Sequence, residues 1–180
     1  MNSDVFERVL GAAQEAENWA WARLYEWLAP QLGGYFRMRG FPQPDDLVGD
    51  TFLQLARGLH RFRGDVKSFK SWAFMIAHNR ISNERRRLAR RPLTLVGDFG
   101  SLEVRTSPSA EDSVLSQFEE ESVLSLLSRL TDDQRNVVAL RVMAGFSVEE
   151  AAEILGKTAG SVKQLQRRAL ESLRRELIEP

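Results

Sequence analysis

A stretch of 26 residues without regular hydrophobic periodicity, residues 92–117, divides this chain of 180 residues into two halves. The stretch contains Gly, Ser, Thr, Pro and acidic residues, a composition typical of a linker. Structureless loops longer than about 12–15 residues are uncommon inside a compact domain. The sequence therefore predicts two small domains, residues 1–91 and 118–180, joined by a flexible linker over 92–117.

Both halves show the three- and four-residue spacing of amphipathic helices, so the predicted fold class is all-α. In the first half, Pro30, the Gly33-Gly34 pair, the 40–44 turn and residues 63–65 are helix-breaking. They separate predicted helices at about 4–29, 31–39, 45–60 and 68–90. The 45–60 helix has one packing face, made of Leu47, Val48, Thr51, Phe52, Leu55 and Leu59. Its other face is expected to be free.

The second half carries two capping boxes, each of which marks the start of a helix. Thr131 to Gln134 is the first, after a helix predicted from Phe118 to Leu130, and Ser147 to Glu150 is the second. Gly156 is expected to end the short helix that Ser147 opens, and a longer helix follows from near Gly160 to Leu177. Two helices joined by a tight Gly-containing turn predict a C-terminal helix-turn-helix.

Charge is distributed in blocks, although the formal net charge is zero. Residues 57–91 hold 11 Lys and Arg against 2 Asp and Glu, and residues 156–180 hold 6 against 3. An acidic block precedes each basic one. Two separate basic blocks indicate two surfaces that bind polyanions.

Several classes of function are disfavoured by composition and motifs. The chain has no Cys, which excludes disulfides, thiolate zinc sites and cysteine nucleophiles. His60 and His78 stand far apart without a carboxylate pattern between them, so we expect no metal site and no cofactor. No phosphate loop or paired catalytic carboxylates are evident, so we expect no enzyme. The absence of a long apolar run or signal peptide predicts a cytoplasmic protein with no membrane partner.

The second helix of a helix-turn-helix enters the major groove, and its solvent-facing residues near the N-terminus contact bases and phosphates. Lys and Arg can bind guanine or phosphate, and Gln can bind adenine. An Arg-rich exposed helix without a DNA role would have a similar sequence. The predicted contact residues are Ser161, Lys163, Gln164, Arg167 and Arg168.

The first basic block interleaves aromatic and cationic residues. Aromatic faces beside a cationic groove suit unpaired nucleic acid, where each stacked base contributes about 1–3 kcal/mol. The alternative is that the rings belong to the core: Phe69 shares a helical face with Ala73, Ile76 and Ala77. We assign Phe62 and Phe74 to packing, and the pattern leaves Trp72 open between packing and nucleic-acid binding.

Together these segments resemble a known family. Asp45–Gln54, Arg61–Asp65 and Phe69–Asn79 resemble domain two of extracytoplasmic-function sigma factors of bacterial RNA polymerase, in the sigma-70 family. Leu130–Arg135, Gly145–Gly156 and Gly160–Lys163 resemble their domain four. The resemblance implies an alternative sigma factor that binds core RNA polymerase and directs promoter-specific transcription initiation. It also implies promoter DNA as a partner, duplex at the minus-35 element and unpaired at minus-10, and an anti-sigma protein.

The resemblance further implies a role for individual positions. Residues expected to bind core polymerase are Asp46, Val48, Asp50, Thr51 and Leu53. Those expected at the minus-10 element are Arg63, Lys67, Phe69, Trp72, Asn79, Arg80 and Arg86. The helix-turn-helix residues named above would read the minus-35 element. A stand-alone helix-turn-helix regulator that never touches polymerase is the alternative, and binding to core polymerase separates the two.

The length of the linker leads to one more expectation. In this family the two promoter elements lie roughly 50 Å apart, about one and a half turns of DNA. A free coil of 26 residues has a typical end-to-end distance of only about 28 Å. Residues 92–117 are therefore predicted to be stretched as a strap along polymerase.

Overall fold

The structure is a computed structural model that describes residues 1–41, 43–90 and 123–178, apart from the side chains of residues 85 and 87–90. The described residues form helices and turns without a strand, which confirms the all-α prediction. The predicted linker, residues 92–117, and the predicted helical residues 118–122 lie outside the described part of the chain.

Four helices make up the first half: α1 (Ser3–Gln14), α2 (Asn18–Met38), α3 (Asp45–Leu59) and α4 (Val66–Arg90). Each is amphipathic and turns its apolar stripe toward a shared core. The largest fully buried side chains of that core include Phe6, Leu24, Leu28, Leu55, Phe69 and Phe74. The α3 and α4 helices pack side by side, which places the loop between them, residues 60–65, at one end of the bundle.

The breaks among the first helices lie elsewhere than predicted. The chain leaves the helix at Ala16, which has a φ of +64°, and α2 then continues through Pro30. A proline inside a helix costs about 3 kcal/mol. Leu24, Leu28 and Leu32 flank it on one stripe and are all fully buried. Burying each leucine contributes about 1.5–3 kcal/mol, so packing outweighs the local penalty and the helix persists.

In the second half, residues 123–128 are helical and are followed by α5 (Asp132–Val138), a π-helix over Ala139–Met143, α6 (Val148–Leu155) and α7 (Ala159–Ile178). Both predicted capping boxes are present, at Thr131 and at Ser147. Gly156 ends α6 with a φ of +61°, a conformation that glycine adopts without strain. The predicted helix-turn-helix is thus confirmed as α6 and α7.

The helix that begins at the first capping box widens before it ends. The Ala144 N–H donates to the Ala139 carbonyl, five residues earlier, at 3.0 Å. In an ordinary α-helix this N–H would donate to the carbonyl four residues earlier. The π-turn instead carries the chain to Met143 before the turn at Gly145.

The two halves contact each other through α4 and α6, and through α2 and the π-helix. Phe74 of α4 and Phe146, just before α6, have ring centroids 5.0 Å apart at an interplanar angle of 74°. Near the other contact, the Arg39 guanidinium donates to the Asp132 carbonyl at 3.2 Å.

Candidate nucleic-acid interface

The second helix of the helix-turn-helix, α7, presents a polar face opposite its buried one. Val162 and Ala169 are fully buried, seven residues apart, and fix which side of α7 faces the core. The five residues predicted to contact duplex DNA lie on the other side and are all exposed: Ser161, Lys163, Gln164, Arg167 and Arg168. The structure therefore brings this whole predicted set together on one accessible face.

Side-chain contacts hold α7 in its orientation. Thr158 precedes the helix, and its hydroxyl oxygen accepts from the Ser161 N–H at 3.2 Å. The Arg141 Nε–H donates to the Gln166 side-chain oxygen at 3.1 Å and ties the π-helix to α7. The Lys157 ammonium lies 2.9 Å from the Asp133 carboxylate and links the turn to α5. These contacts leave the outward face unused for packing.

A second polar site is an open cavity of about 610 Å³ at the α3–α4 loop. Phe62 and Trp72 stack in its wall, with ring centroids 5.2 Å apart and an interplanar angle of 11°. Arg61, Arg63 and Lys67 also line it. A planar aromatic wall beside cations matches what unpaired bases and their phosphates require.

Close packing around Gly58 sets the position of the Trp72 ring. A Cβ atom at Gly58 would lie 2.8 Å from Cζ2 of the indole, so only glycine lets the ring lie against α3 there. Phe69 stands behind the stack, with its centroid 5.4 Å from Phe62 and 6.0 Å from Trp72. The wall is therefore supported from two sides.

The loop enters α4 through a local cap. One Asp65 carboxylate oxygen accepts from the Ser68 hydroxyl at 2.6 Å and from the Ser68 N–H at 2.8 Å. These hydrogen bonds, the one from the hydroxyl first, lower the pKa of Asp65 below its ordinary value. Arg63 is fixed by donating to the Phe62 carbonyl at 2.7 Å. The rim of the cavity is thus ordered by the loop itself.

Not every residue predicted for the minus-10 site reaches the surface. Arg63 and Lys67 lie on the cavity rim and Trp72 in its wall, whereas Phe69 is completely buried. Its side chain can support the wall but cannot touch a nucleotide, because it faces the core between α1, α2 and α4. Asn79, Arg80 and Arg86 lie further along α4; Asn79 and Arg86 are exposed, and Arg80 pairs with Asp50 at 3.3 Å.

The predicted polymerase-binding set on α3 divides in the same way. Asp46 and Leu53 are exposed, Leu53 by 58%. Val48 and Thr51 are buried, and the Thr51 hydroxyl donates to the Leu47 carbonyl at 2.7 Å. These two side chains therefore belong to the core, and Asp46, Asp50 and Leu53 remain for an outward surface.

Two residues from the second half, which no sequence pattern predicted for this site, also lie at the cavity. Glu150 and Glu153 of α6 line it as well. Nearby, the Lys70 ammonium donates to the Ala144 carbonyl at 2.7 Å, and burial lowers its pKa against the opposing effect of Glu150. In the sequence, Glu150 was accounted for as part of a capping box, and no local pattern indicated a second position for it.

Within the described ranges, no helix is long and apolar enough to cross a bilayer. The same part of the chain holds no group of three or more His, Cys, Asp or Glu side chains placed to bind a metal ion.

Known proteins are similar to this chain in both sequence and fold. The model of sigma-70 region 2 matches residues 24–91, and that of sigma-70 region 4 matches residues 126–175. The ECF RNA polymerase sigma factor BldN of Streptomyces coelicolor is 33% identical over 92% of this chain and 63% of its own length. The RNA polymerase sigma factor CnrH of Cupriavidus metallidurans is 30% identical over 91% of this chain and 90% of its own.

Solved structures match the arrangement of helices. CnrH in complex with the cytosolic domain of CnrY gives a TM-score of 0.68 at 26% identity, covering 96% of this chain and 97% of that one. RpoE in complex with the anti-sigma factor NepR from Bartonella quintana gives 0.66 at 22% identity, covering 88% and 96%, a likeness of fold. The chain belongs to the sigma-70 family as an extracytoplasmic-function sigma factor, an alternative sigma factor that directs transcription initiation.

Proposed function

We propose that this sigma factor uses three separate surfaces during initiation. The outer side of α3, with Asp46, Asp50 and Leu53, binds core polymerase. The cavity beside Trp72 takes an unpaired base of the minus-10 element, and the exposed face of α7 reads the minus-35 duplex. The division of labour follows the predicted domains, with residues 1–91 serving the first two surfaces, residues 118–180 the third, and residues 92–117 connecting them.

The stacked wall of the cavity is the observation that carries this proposal. Phe62 and Trp72 stack on each other and both line the cavity, so a base can contact the ring surfaces that this stacking leaves free, and Arg61, Arg63 and Lys67 supply cations beside them. A regulator that binds only duplex DNA has no use for such a wall, because the bases of a duplex are already stacked on each other. The cavity therefore favours a protein that handles melted promoter DNA over a stand-alone regulator.

The α3 surface is chemically suited to protein binding. Leu53 exposes most of its side chain and follows Asp50 by three residues and Asp46 by seven on the same helix, and apolar side chains are common at the centres of interfaces. Tyr25 of α2 extends the apolar area, since it is exposed and its ring lies 4.8 Å from Phe52. Carboxylates on one side of an apolar patch favour a partner surface that is basic there.

The protein works by binding, without a catalytic step or a cofactor of its own, and we place it in the cytoplasm, where polymerase and DNA are. An anti-sigma protein is a further proposed partner. The solved RpoE relative is bound to the anti-sigma factor NepR, and the CnrH relative is bound to the cytosolic domain of CnrY. Such a partner would compete with polymerase or DNA for the surfaces named above.

Transcription from a genomic DNA library tests the proposal directly. Core polymerase with this chain should yield transcripts whose start sites share two upstream motifs, and core polymerase alone should not. Trp72→Ala should retain polymerase binding but lose most promoter opening. A chain that binds duplex DNA tightly, yet neither associates with core polymerase nor changes its start sites, would be the stand-alone regulator instead.

A further inference from the structure

Gln14, the last residue of α1, is hydrogen-bonded to the backbone at the loop between α3 and α4. Its amide nitrogen donates to the Leu59 carbonyl and to the Phe62 carbonyl, both at 3.0 Å. Leu59 is the last residue of α3, and Phe62 lines the cavity. The α1 helix therefore holds the backbone at the point where α3 ends and the cavity begins.

The two acceptors fix the orientation of the Gln14 amide. An amide NH₂ group has two N–H donors, whereas the side-chain oxygen only accepts. The reversed amide would place an oxygen against two carbonyl oxygens, so the nitrogen must face the loop. The Leu59 carbonyl is also among the last four of α3, which have no partner inside an α-helix. Gln14 supplies one donor to this carbonyl, and the Phe62 N–H supplies another at 3.0 Å.

Phe62 connects this support to the cavity. Its carbonyl accepts from Gln14 and, at 2.7 Å, from the Arg63 guanidinium. Its ring stacks on Trp72, and a Cβ atom at Gly64 would lie 3.0 Å from its Cζ atom. Because both its backbone and its ring are held, Phe62 has little freedom to turn away from Trp72.

The end of α1 is itself anchored. The Trp21 indole N–H donates to the Ala13 carbonyl, beside Gln14, at 3.2 Å. Phe6 on the same helix is fully buried, and its ring centroid lies 5.4 Å from that of Phe69. The Gln14 amide is therefore presented to the loop by a helix that is packed into the core.

We propose that Gln14 is a positioning residue for capture of the unpaired minus-10 base. Its amide holds the loop backbone, which keeps Phe62 on Trp72 and leaves their other ring surfaces open to a base. Gln14 acts through the loop and lies ahead of residues 24–91, which the model of sigma-70 region 2 matches. The inference rests on the proposed role of the cavity.

The test measures how tightly holoenzyme, assembled from core polymerase and the full-length chain, binds a fluorescein-labelled fork DNA, by fluorescence anisotropy. The fork carries a promoter found by transcription from the genomic library, with its minus-10 element unpaired. Further forks replace each unpaired base in turn by an abasic site. The replacement that weakens wild-type binding most identifies the captured base. The ratio of the affinities for the intact fork and that abasic fork is the base-dependent part of binding.

Gln14→Met removes both donors at nearly constant side-chain length, and methionine favours a helix about as well as glutamine. Because two hydrogen bonds to the loop are lost, the base-dependent part should fall about tenfold. Gln31→Met is the matched control, since Gln31 is also half-buried and its amide donates to the Trp27 carbonyl of its own helix. The control should leave the base-dependent part unchanged. Gln14→Lys keeps N–H donors at this position and should retain most of it.

A merely structural role for Gln14 gives a different result. General loss of stability would weaken binding to the intact and the abasic fork equally, which leaves the base-dependent part unchanged. That result with Gln14→Met would overturn the inference. An equal fall for Gln14→Lys and Gln14→Met would also overturn it, because donors to the loop carbonyls would then make no difference.

Trp72→Ala separates failure of this inference from failure of the cavity. It should abolish the base-dependent part, and Gln14→Met added to it should then have no further effect. If Trp72→Ala abolishes that part and Gln14→Met alone does not alter it, the cavity stands and the positioning role is overturned. If Trp72→Ala leaves it intact, the base binds elsewhere, and both the cavity assignment and the positioning role are overturned.

Discussion

Replacing Gly58 by alanine should disturb the cavity at the α3–α4 loop while barely changing the helix that carries Gly58. The added Cβ would lie 2.8 Å from Cζ2 and 3.1 Å from Cη2 of Trp72. Carbon atoms in contact normally stand about 3.5–4.0 Å apart, so the indole must move by roughly 1 Å. It cannot do so alone, because Phe62 stacks on it and Phe69 lies behind it.

The expected stability change is a difference between two opposing effects. Alanine is about 1 kcal/mol better than glycine inside a helix. Forcing an extra methyl group into a packed site costs about 1–3 kcal/mol. Gly58→Ala should therefore leave the free energy of unfolding unchanged or lower it by up to about 2 kcal/mol.

Gly49→Ala on the same helix is the control. No atom lies within 4 Å of the Cβ it would add, so it should gain stability of up to about 1 kcal/mol. Urea unfolding followed by circular dichroism measures both variants, and permanganate footprinting of promoter complexes measures melting. Only Gly58→Ala should reduce melting. Equal stabilisation by the two substitutions, with full promoter opening in both, would refute the argument that Gly58 positions Trp72.

Three further predictions concern the other surfaces. Charge reversal by Asp46→Lys with Asp50→Lys should abolish association with core polymerase in a pull-down, while circular dichroism shows a folded chain; retained association would remove α3 from the interface. Lys163→Ala or Arg167→Ala should each weaken promoter binding. Loss of a base contact should cost about 1–3 kcal/mol, whereas loss of a phosphate contact should weaken binding to all sequences and lower its salt dependence. Unchanged binding in both variants would exclude α7 from reading DNA. Replacing residues 95–112 by Gly/Ser of equal length should preserve binding to each promoter element separately and reduce initiation, whereas wild-type initiation would show a passive tether.

Sequence periodicity predicted most of the fold because the signals involved are local. The capping residues Thr131 and Ser147, and the terminating Gly156, each satisfy backbone groups within a few residues of themselves. Pro30 was misleading because its penalty is local, whereas the burial of Leu24, Leu28 and Leu32 that overrides it depends on the other helices.

The candidate site was predictable only in part. On α3, the three- and four-residue spacing that predicted a helix also placed Val48 and Thr51 on its packing face. The resemblance to the family nevertheless implied that both residues bind polymerase, and the spacing proved the better guide. Phe69 was assigned to the DNA site on the same basis, although its helical face already favoured the core. The presence of Glu150 and Glu153 at the cavity was beyond reach, because it depends on contacts between residues far apart in the chain.

The π-helix at Ala139–Met143 has a consequence for how the length of this chain can vary. A π-turn holds one residue more than an α-turn, so it accommodates an extra residue without rotating the segments on either side. Deleting one residue there would leave an ordinary α-turn, with α6 and α7 still presenting the same faces. The same deletion inside α7 would rotate everything after it by about 100° and turn Ala169 out of the core. Length changes are therefore expected to be tolerated at this turn and excluded from the recognition helix.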